Sequence, residues 1–132
     1  MIGLDTNVLV RYLAQDDREQ ARRATDLMER RLSVDEPGFI SVVAMVETAW
    51  VLERAYGRSD RDVADAIELL LQAETLVVEC EQEVFAAASA LKDGRGAFAD
   101  ALIGALDARA GCTSTATFDR KAARLAGFEL LA

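Results

Sequence analysis

The feature of this sequence that most constrains its fold is a regular alternation between short apolar runs and longer stretches with helical periodicity. The short runs are rich in β-branched residues and are typical of buried strands. Between them, apolar residues recur every three or four positions, which indicates amphipathic helices. Strands separated by helices favour βαβ units, so we expect an α/β fold with a mostly parallel sheet covered by helices on both faces.

The predicted strands and helices follow one another along the whole chain. We expect strands at residues 1 to 5 and in the segments FIS, LVVEC, CTSTATF and FELL. We expect helices from about Asn7 to Ala14 and in DREQARRATDLMERRL, VVAMVETAWVLERAYG, DRDVADAIELLLQA, EVFAAASALK, FADALIGALDARAG and DRKAARLAG. Because no linker or low-complexity tract interrupts this order, we expect one domain over residues 1–132.

Three of the predicted helices carry an apolar face that we expect to be buried. We expect Gly57 to cap the C-terminal end of the third helix. Ser59 and Asp62 have the spacing of a capping box at the start of the fourth helix. The residues expected to face the core are Ala21, Ala24, Met28 and Leu32 in the second helix, Val43, Val46, Ala49 and Trp50 in the third, and Val63, Ile67, Leu70 and Leu71 in the fourth.

Composition limits the chemistry that is available. The chain has no histidine, so the commonest general base and the commonest transition-metal ligand are both missing, and acid-base catalysis would rest on carboxylates. Its net charge of −8 disfavours a polyanionic partner at long range. Cys80 and Cys112 lack a metal-binding spacing and favour free thiols in a reducing compartment. No apolar run is long enough for a membrane span, so we expect a cytoplasmic protein.

Four acidic residues stand where a strand ends or where a helix turns apolar. Asp5 is the last residue of the first predicted strand, Asp119 follows the strand CTSTATF, and each also suits the N-cap of the helix after it. Glu47 shares a helix face with Val43 and Trp50, and Asp100 lies among apolar residues, although each also fits a thin polar stripe. Ligands bind beyond the carboxyl ends of parallel strands, and carboxylates suit Mg²⁺ or Mn²⁺.

The segments GLDTNVLV, VVAMVETAWVL, FADALIGAL and TATFDRKAARLAGFELL, in this order, resemble the four motifs of PIN-domain endoribonucleases, particularly the VapC-type toxins of type II toxin-antitoxin pairs. The likeness covers essentially the whole chain and implies a three-layer α/β/α sandwich. It also implies that four acids form a catalytic Mg²⁺ or Mn²⁺ site with three supporting polar residues. The implied ligands are Asp5, Glu47, Asp100 and Asp119, and the supporting residues are Thr6, Asn7 and Thr117.

The resemblance further implies partners for such an enzyme. These are an RNA substrate, a homodimer and a cognate antitoxin that blocks the acidic site. Arg11 and Arg120 are close in sequence to the proposed ligands, and we expect them to contact RNA phosphates, although a solvated helix face explains most of the other basic residues. The adjacent leucines Leu69, Leu70 and Leu71 fit either a partner contact or complete burial within one chain.

Two other classes of function fit parts of the pattern. A different small phosphoryl-transfer enzyme with Asp5 as nucleophile would need a second acid two residues later, where the chain has Asn7. A catalytically silent α/β binding module would use the same acids only as helix caps and for solubility. Metal-dependent RNA cleavage that is lost on Asp5→Asn separates the nuclease from the binding module.

Overall fold

The computed structural model describes residues 1–131 and divides the chain into two compact units. The first unit is Met1–Glu81, and the second is Gln82–Ala132, described up to residue 131. None of the helices in residues 1–131 combines the length and the apolar character that a membrane crossing requires.

The first unit is built on a three-stranded sheet whose strands are all parallel, in the order β1-β2-β3. Its strands are β1 (Ile2–Gly3), β2 (Gly38–Ile40) and β3 (Leu76–Val78). Its helices are α1 (Thr6–Ala14), α2 (Arg18–Asp26) with a following π-helical turn (Leu27–Arg31), α3 (Val42–Arg54) and α4 (Asp60–Gln72). Helix α1 packs against α2 and α3, and α4 packs against α3 and β3.

The core of the first unit contains most of the side chains that the sequence pattern places there. The expected faces of the second and fourth helices are confirmed: Ala21, Ala24, Met28, Leu32, Val63, Ile67 and Leu70 are all buried. Leu71 is only partly buried, and Leu69 is 55% exposed, so complete burial of the leucine run is wrong for Leu69.

The helix ends in this unit follow the predicted capping chemistry. The Ser59 hydroxyl accepts a hydrogen bond from the Asp62 backbone N–H at 3.1 Å, and this cap opens α4. After α3, Gly57 has a φ of +60°, a backbone conformation that glycine adopts without strain. The Arg58 N–H then donates to the Leu52 carbonyl at 3.0 Å, which closes the end of α3.

The predicted buried face of α3 is wrong at two of its large residues. Val43 is 76% exposed and Trp50 is 57% exposed. The buried face is instead made by Ala44, Met45, Thr48, Ala49 and Leu52. The helix is apolar on nearly every side, so periodicity alone did not distinguish the face that packs from the face that meets solvent.

The second unit has a two-stranded parallel sheet of β4 (Thr115–Thr117) and β5 (Phe128–Leu130). Helix α5 (Glu81–Lys92) starts at the last residue of the first unit, and α6 (Phe98–Arg109) precedes β4. The predicted helix DRKAARLAG is reduced to one 3₁₀ turn, Ala122–Arg124, since the chain must return to pair β5 with β4. The buried side chains of this unit are Val84, Ala87, Ala88, Ala90, Leu91, Phe98, Leu102, Ala122 and Leu125.

Gly38 in the middle strand offers a test of how tightly the first unit is packed. A Cβ at this position would lie 2.8 Å from Leu32 Cδ1, 2.9 Å from Leu4 Cδ1 and 3.0 Å from Leu76 Cδ2. We expect Gly38→Ala to lower the free energy of unfolding by about 1 to 3 kcal/mol through overpacking. Gly3→Ala is the matched control, since nothing lies within 4 Å of the point that its methyl group would occupy. Equal urea midpoints for the two variants would contradict this packing.

Candidate metal and nucleic-acid site

Asp5 stands two residues after β1 and is the N-cap of α1. Its Oδ1 accepts a hydrogen bond from the Thr6 backbone N–H at 2.8 Å, and its carbonyl accepts from the N–H groups of Val8 and Leu9. The side chain is exposed. Asp5 is therefore a helix cap, and the cap occupies only one of its two carboxylate oxygens, so capping leaves the other oxygen available for a ligand.

Glu47 is exposed on α3, as are Val43 and Trp50, so the expectation that these apolar neighbours bury it is wrong. Its Oε1 accepts a hydrogen bond from the Thr6 hydroxyl at 2.5 Å. Thr6 is itself buried, with 6% of its surface exposed. Thr6 directly follows Asp5. This hydrogen bond therefore links Glu47 to the start of the helix that Asp5 caps, and so connects two acids that are far apart in sequence.

Asp100 is in the first turn of α6 and is partly buried. Burial raises the pKa of its carboxyl above the ordinary value of 3.8, and the negative charge of Asp119 raises this pKa further. Asp100 and Asp119 are therefore electrostatic neighbours within the second unit. An acid that is penalised in its charged form by burial and by a like charge is a frequent feature of functional sites.

Asp119 follows β4 and organises the turn after it. Its Oδ1 accepts hydrogen bonds from the backbone N–H groups of Lys121 at 2.8 Å and Ala122 at 3.3 Å. Its own N–H donates to the Thr117 hydroxyl at 3.0 Å. As with Asp5, these contacts use one carboxylate oxygen, and the side chain remains exposed.

The other candidate residues differ in their surroundings. Asn7 is exposed and lines a groove of about 450 Å³ between α1 and α2, together with Val8 and Ala24. Thr117 is partly buried at the end of β4, where its hydroxyl supports Asp119. Thr6 and Thr117 thus each fix the local geometry of a proposed ligand, one in each unit.

Arg11 takes part in a hydrogen-bond network that the sequence did not reveal. Its Nε donates to Gln20 Oε1 at 2.6 Å, and its Nη1 donates to the Tyr56 hydroxyl at 2.9 Å and to Asp16 Oδ1 at 3.4 Å. The Tyr56 hydroxyl in turn donates to Asp16, which lowers the pKa of the Asp16 carboxyl and raises that of Tyr56. Arg11 is thereby held in place with its Nη2 outside this network.

Arg120 presents a contrasting environment to that of Arg11. It is exposed, and among residues 1–131 no ion pair or hydrogen bond of its guanidinium is found. Directly before Asp119 the structure also reveals Phe118, whose ring is 82% exposed. The sequence pattern places Phe118 as an ordinary residue of the strand CTSTATF, because aromatic residues are common in strands. Its position at the end of that strand was the only signal that it could be exposed.

The arrangement offers hard oxygen donors. Within the described part of either unit, no group of three or more acidic or thiol side chains lies close enough to hold a metal ion. The first unit supplies Asp5 and Glu47, and the second supplies Asp100 and Asp119. Such carboxylates match the ligand preference of Mg²⁺ and Mn²⁺.

Comparison with known proteins places these observations in a family. The PIN domain family matches residues 2–128, which is nearly the whole chain, whereas no curated protein matches it. The expected fold class is confirmed, since the chain combines helices with parallel strands as this family does. PIN domains are generally nucleases that use divalent metal ions. Since this match covers residues 2–128, the chain belongs to the PIN domain family.

Proposed function

We propose that this protein is a Mg²⁺- or Mn²⁺-dependent endoribonuclease and the toxin of a type II toxin-antitoxin pair of the VapC type. The observation that carries the proposal is the pairing of acids from distant parts of the sequence. In the first unit, the Thr6 hydroxyl ties Glu47 to the helix that Asp5 caps. In the second unit, the charge of Asp119 acts on Asp100. Family membership supports nuclease chemistry in general.

The donor set fits a divalent cation. Asp100 carries a charge that burial and Asp119 both disfavour, and a cation would offset that repulsion. Both Asp5 and Asp119 keep one carboxylate oxygen outside their capping contacts. When bound, a divalent ion would lower the pKa of a water molecule that it holds and would offset the charge at the scissile phosphate.

The side chains of this chain divide the remaining work. Asp5 and Asp100 are the principal ligands, held at a helix N-terminus and in a first helical turn. Glu47 and Asp119 act as further ligands or orient the attacking water. Thr6 fixes the rotamer of Glu47, and Thr117 fixes the turn that carries Asp119. In a chain without histidine, a carboxylate accepts the proton of the water.

Binding of RNA must overcome a net charge of −8. Arg120 is exposed beside Asp119, which suits contact with a phosphate. Arg11 contributes through Nη2, because its other donors are held by Gln20, Tyr56 and Asp16. We expect binding to be weak without metal and to favour unpaired bases.

The proposed protein partners are a second copy of the chain and an antitoxin. Their support is the resemblance to VapC-type toxins together with exposed apolar side chains in the first unit. These side chains include Val43 and Trp50 on α3 and Leu69 on α4. A contiguous patch of exposed apolar side chains marks a protein interface, and Val43 and Trp50 lie two turns apart on α3.

The cleavage reaction gives the first test. We expect the purified protein to cleave single-stranded or structured RNA in Mg²⁺ or Mn²⁺ and to lose this activity in EDTA. Asp5→Asn removes a proposed ligand but keeps the amide as a helix cap, so its rate should fall at least about 100-fold. Asp35→Asn, an exposed acid in a loop of the same unit, is the control. Cleavage that persists in EDTA would contradict a metal-dependent reaction, whereas no cleavage in either metal would leave the silent binding module.

Thermal melts test the second pair of acids. The folded-state pKa of Asp100 is raised, so the ionised Asp100 side chain lowers the free energy of unfolding. This loss of stability is absent below pH 3.8 and is fully present once pH exceeds the raised pKa. At neutral pH we expect Asp100→Asn to be as stable as the wild type or more stable. Mn²⁺ at 100 times its Kd should stabilise the wild type by about 2.7 kcal/mol and the variant much less.

The control for these melts is Asp93→Asn, an exposed acid beyond the end of α5. It should retain the full response to Mn²⁺. A wild-type melting temperature that does not respond to Mn²⁺ would argue against the metal site, whatever the stability of Asp100→Asn.

The salt dependence of RNA binding tests the two arginines. We expect Arg120→Ala to weaken binding of all RNA sequences and to flatten the plot of log K against log salt by about 0.7. Arg11→Ala should change the slope less and should also lower stability, because it leaves Asp16 and Tyr56 without their cation. An unchanged slope for Arg120→Ala would show that Arg120 does not contact RNA phosphates and is only a solvated surface residue.

A further inference from the structure

The turn after β4 exposes an aromatic ring at the start of a basic stretch of sequence. Phe118 is 82% exposed, the highest value among the large apolar side chains of the described residues. The next six positions hold the cations Arg120, Lys121 and Arg124 against the single acid Asp119. In a chain with a net charge of −8, this short segment is locally basic. Within residues 1–131 none of its three cations forms an ion pair.

This turn is held rigidly by its own hydrogen bonds. The Thr117 hydroxyl accepts from the Asp119 N–H, and Asp119 Oδ1 accepts from the N–H groups of Lys121 and Ala122. Ala122 is buried and anchors the 3₁₀ turn that follows. These hydrogen bonds hold the backbone next to Phe118, so binding at the ring requires little ordering of the backbone.

We infer that Phe118 is a base-stacking residue: the ring receives an unpaired nucleobase of single-stranded RNA, while Arg120 and Lys121 contact the adjoining phosphates. The inference rests on the proposed ribonuclease function and names the form of RNA that its site accepts. An exposed aromatic ring with cations beside it is the combination that binds single strands, since every base has a face for stacking and every linkage a charge.

The surroundings of Phe118 favour RNA over a protein partner. The centre of a protein interface is depleted of charged residues and forms a contiguous apolar patch. Phe118 is instead followed at once by Asp119, Arg120 and Lys121, all exposed. Phe118 directly precedes Asp119. A base stacked on Phe118 would therefore also place the adjoining phosphate near a proposed metal ligand.

Binding measured in EDTA isolates this contact from catalysis. With a fluorescein-labelled oligouridylate, we expect Phe118→Ala to bind about tenfold more weakly than the wild type, and Phe118→Tyr to stay within about twofold. Binding of duplex RNA should be unchanged by either variant, because its bases are already stacked in pairs. Phe85→Ala is the matched control: Phe85 is 55% exposed on α5 but stands beside Glu81 and Glu83 rather than cations.

A fluorescence measurement detects stacking directly. Trp50 is the single tryptophan of the chain and is exposed, so Trp50→Phe together with Phe118→Trp moves the only indole to the turn. We expect the oligouridylate to quench this fluorescence and the duplex to leave it unchanged. Absence of quenching, or single-strand affinity equal in Phe118→Ala and wild type, would overturn the inference.

Three further outcomes separate the inference from the proposed function. If the wild type cleaves the oligouridylate in Mn²⁺ while Phe118→Ala binds it normally, only the inference fails. If Phe118→Ala loses single-strand binding but the wild type never cleaves, only the nuclease proposal fails. If Phe118→Ala changes the oligomeric state in light scattering and leaves RNA affinity intact, Phe118 belongs to a protein interface and the inference is overturned.

Discussion

The hydrogen bond from the buried Thr6 hydroxyl to Glu47 is the contact that links the two candidate acids of the first unit. It joins the first residue of α1 to the second turn of α3, two helices that also pack against each other. Since Asp5 immediately precedes Thr6 and caps the same helix, the position of one acid is coupled to that of the other.

The second unit reaches a similar result through different means. Asp119 is fixed by backbone N–H groups, and Asp100 is set in a partly buried first turn where its charge is disfavoured. In both units the capping role and the proposed ligand role are compatible, because a carboxylate has two oxygens and each cap uses one. Capping by Asp5 or Asp119 therefore does not exclude a ligand role for the same side chain.

Much of the fold followed from periodicity and from cap chemistry. The strands, the six long helices, the Ser59 cap and the left-handed Gly57 all lie where the sequence placed them, within the usual uncertainty at element ends. These features are local, since they depend on residues within a few positions of each other. The segment DRKAARLAG shows the limit: its helical pattern is real, but pairing of β5 with β4 allows only one turn.

The sequence by itself determined the α/β class, the four candidate acids and the absence of histidine chemistry, because these follow from residue identity and from short-range spacing. Only the tertiary structure decided which face of α3 is buried, that Glu47 is reached by Thr6, that Arg11 is held by Asp16, Gln20 and Tyr56, and that Phe118 stands out in solvent. Each of these depends on which elements meet across long stretches of chain. A helix that is apolar on nearly every side has no preferred face until a neighbour covers one of them.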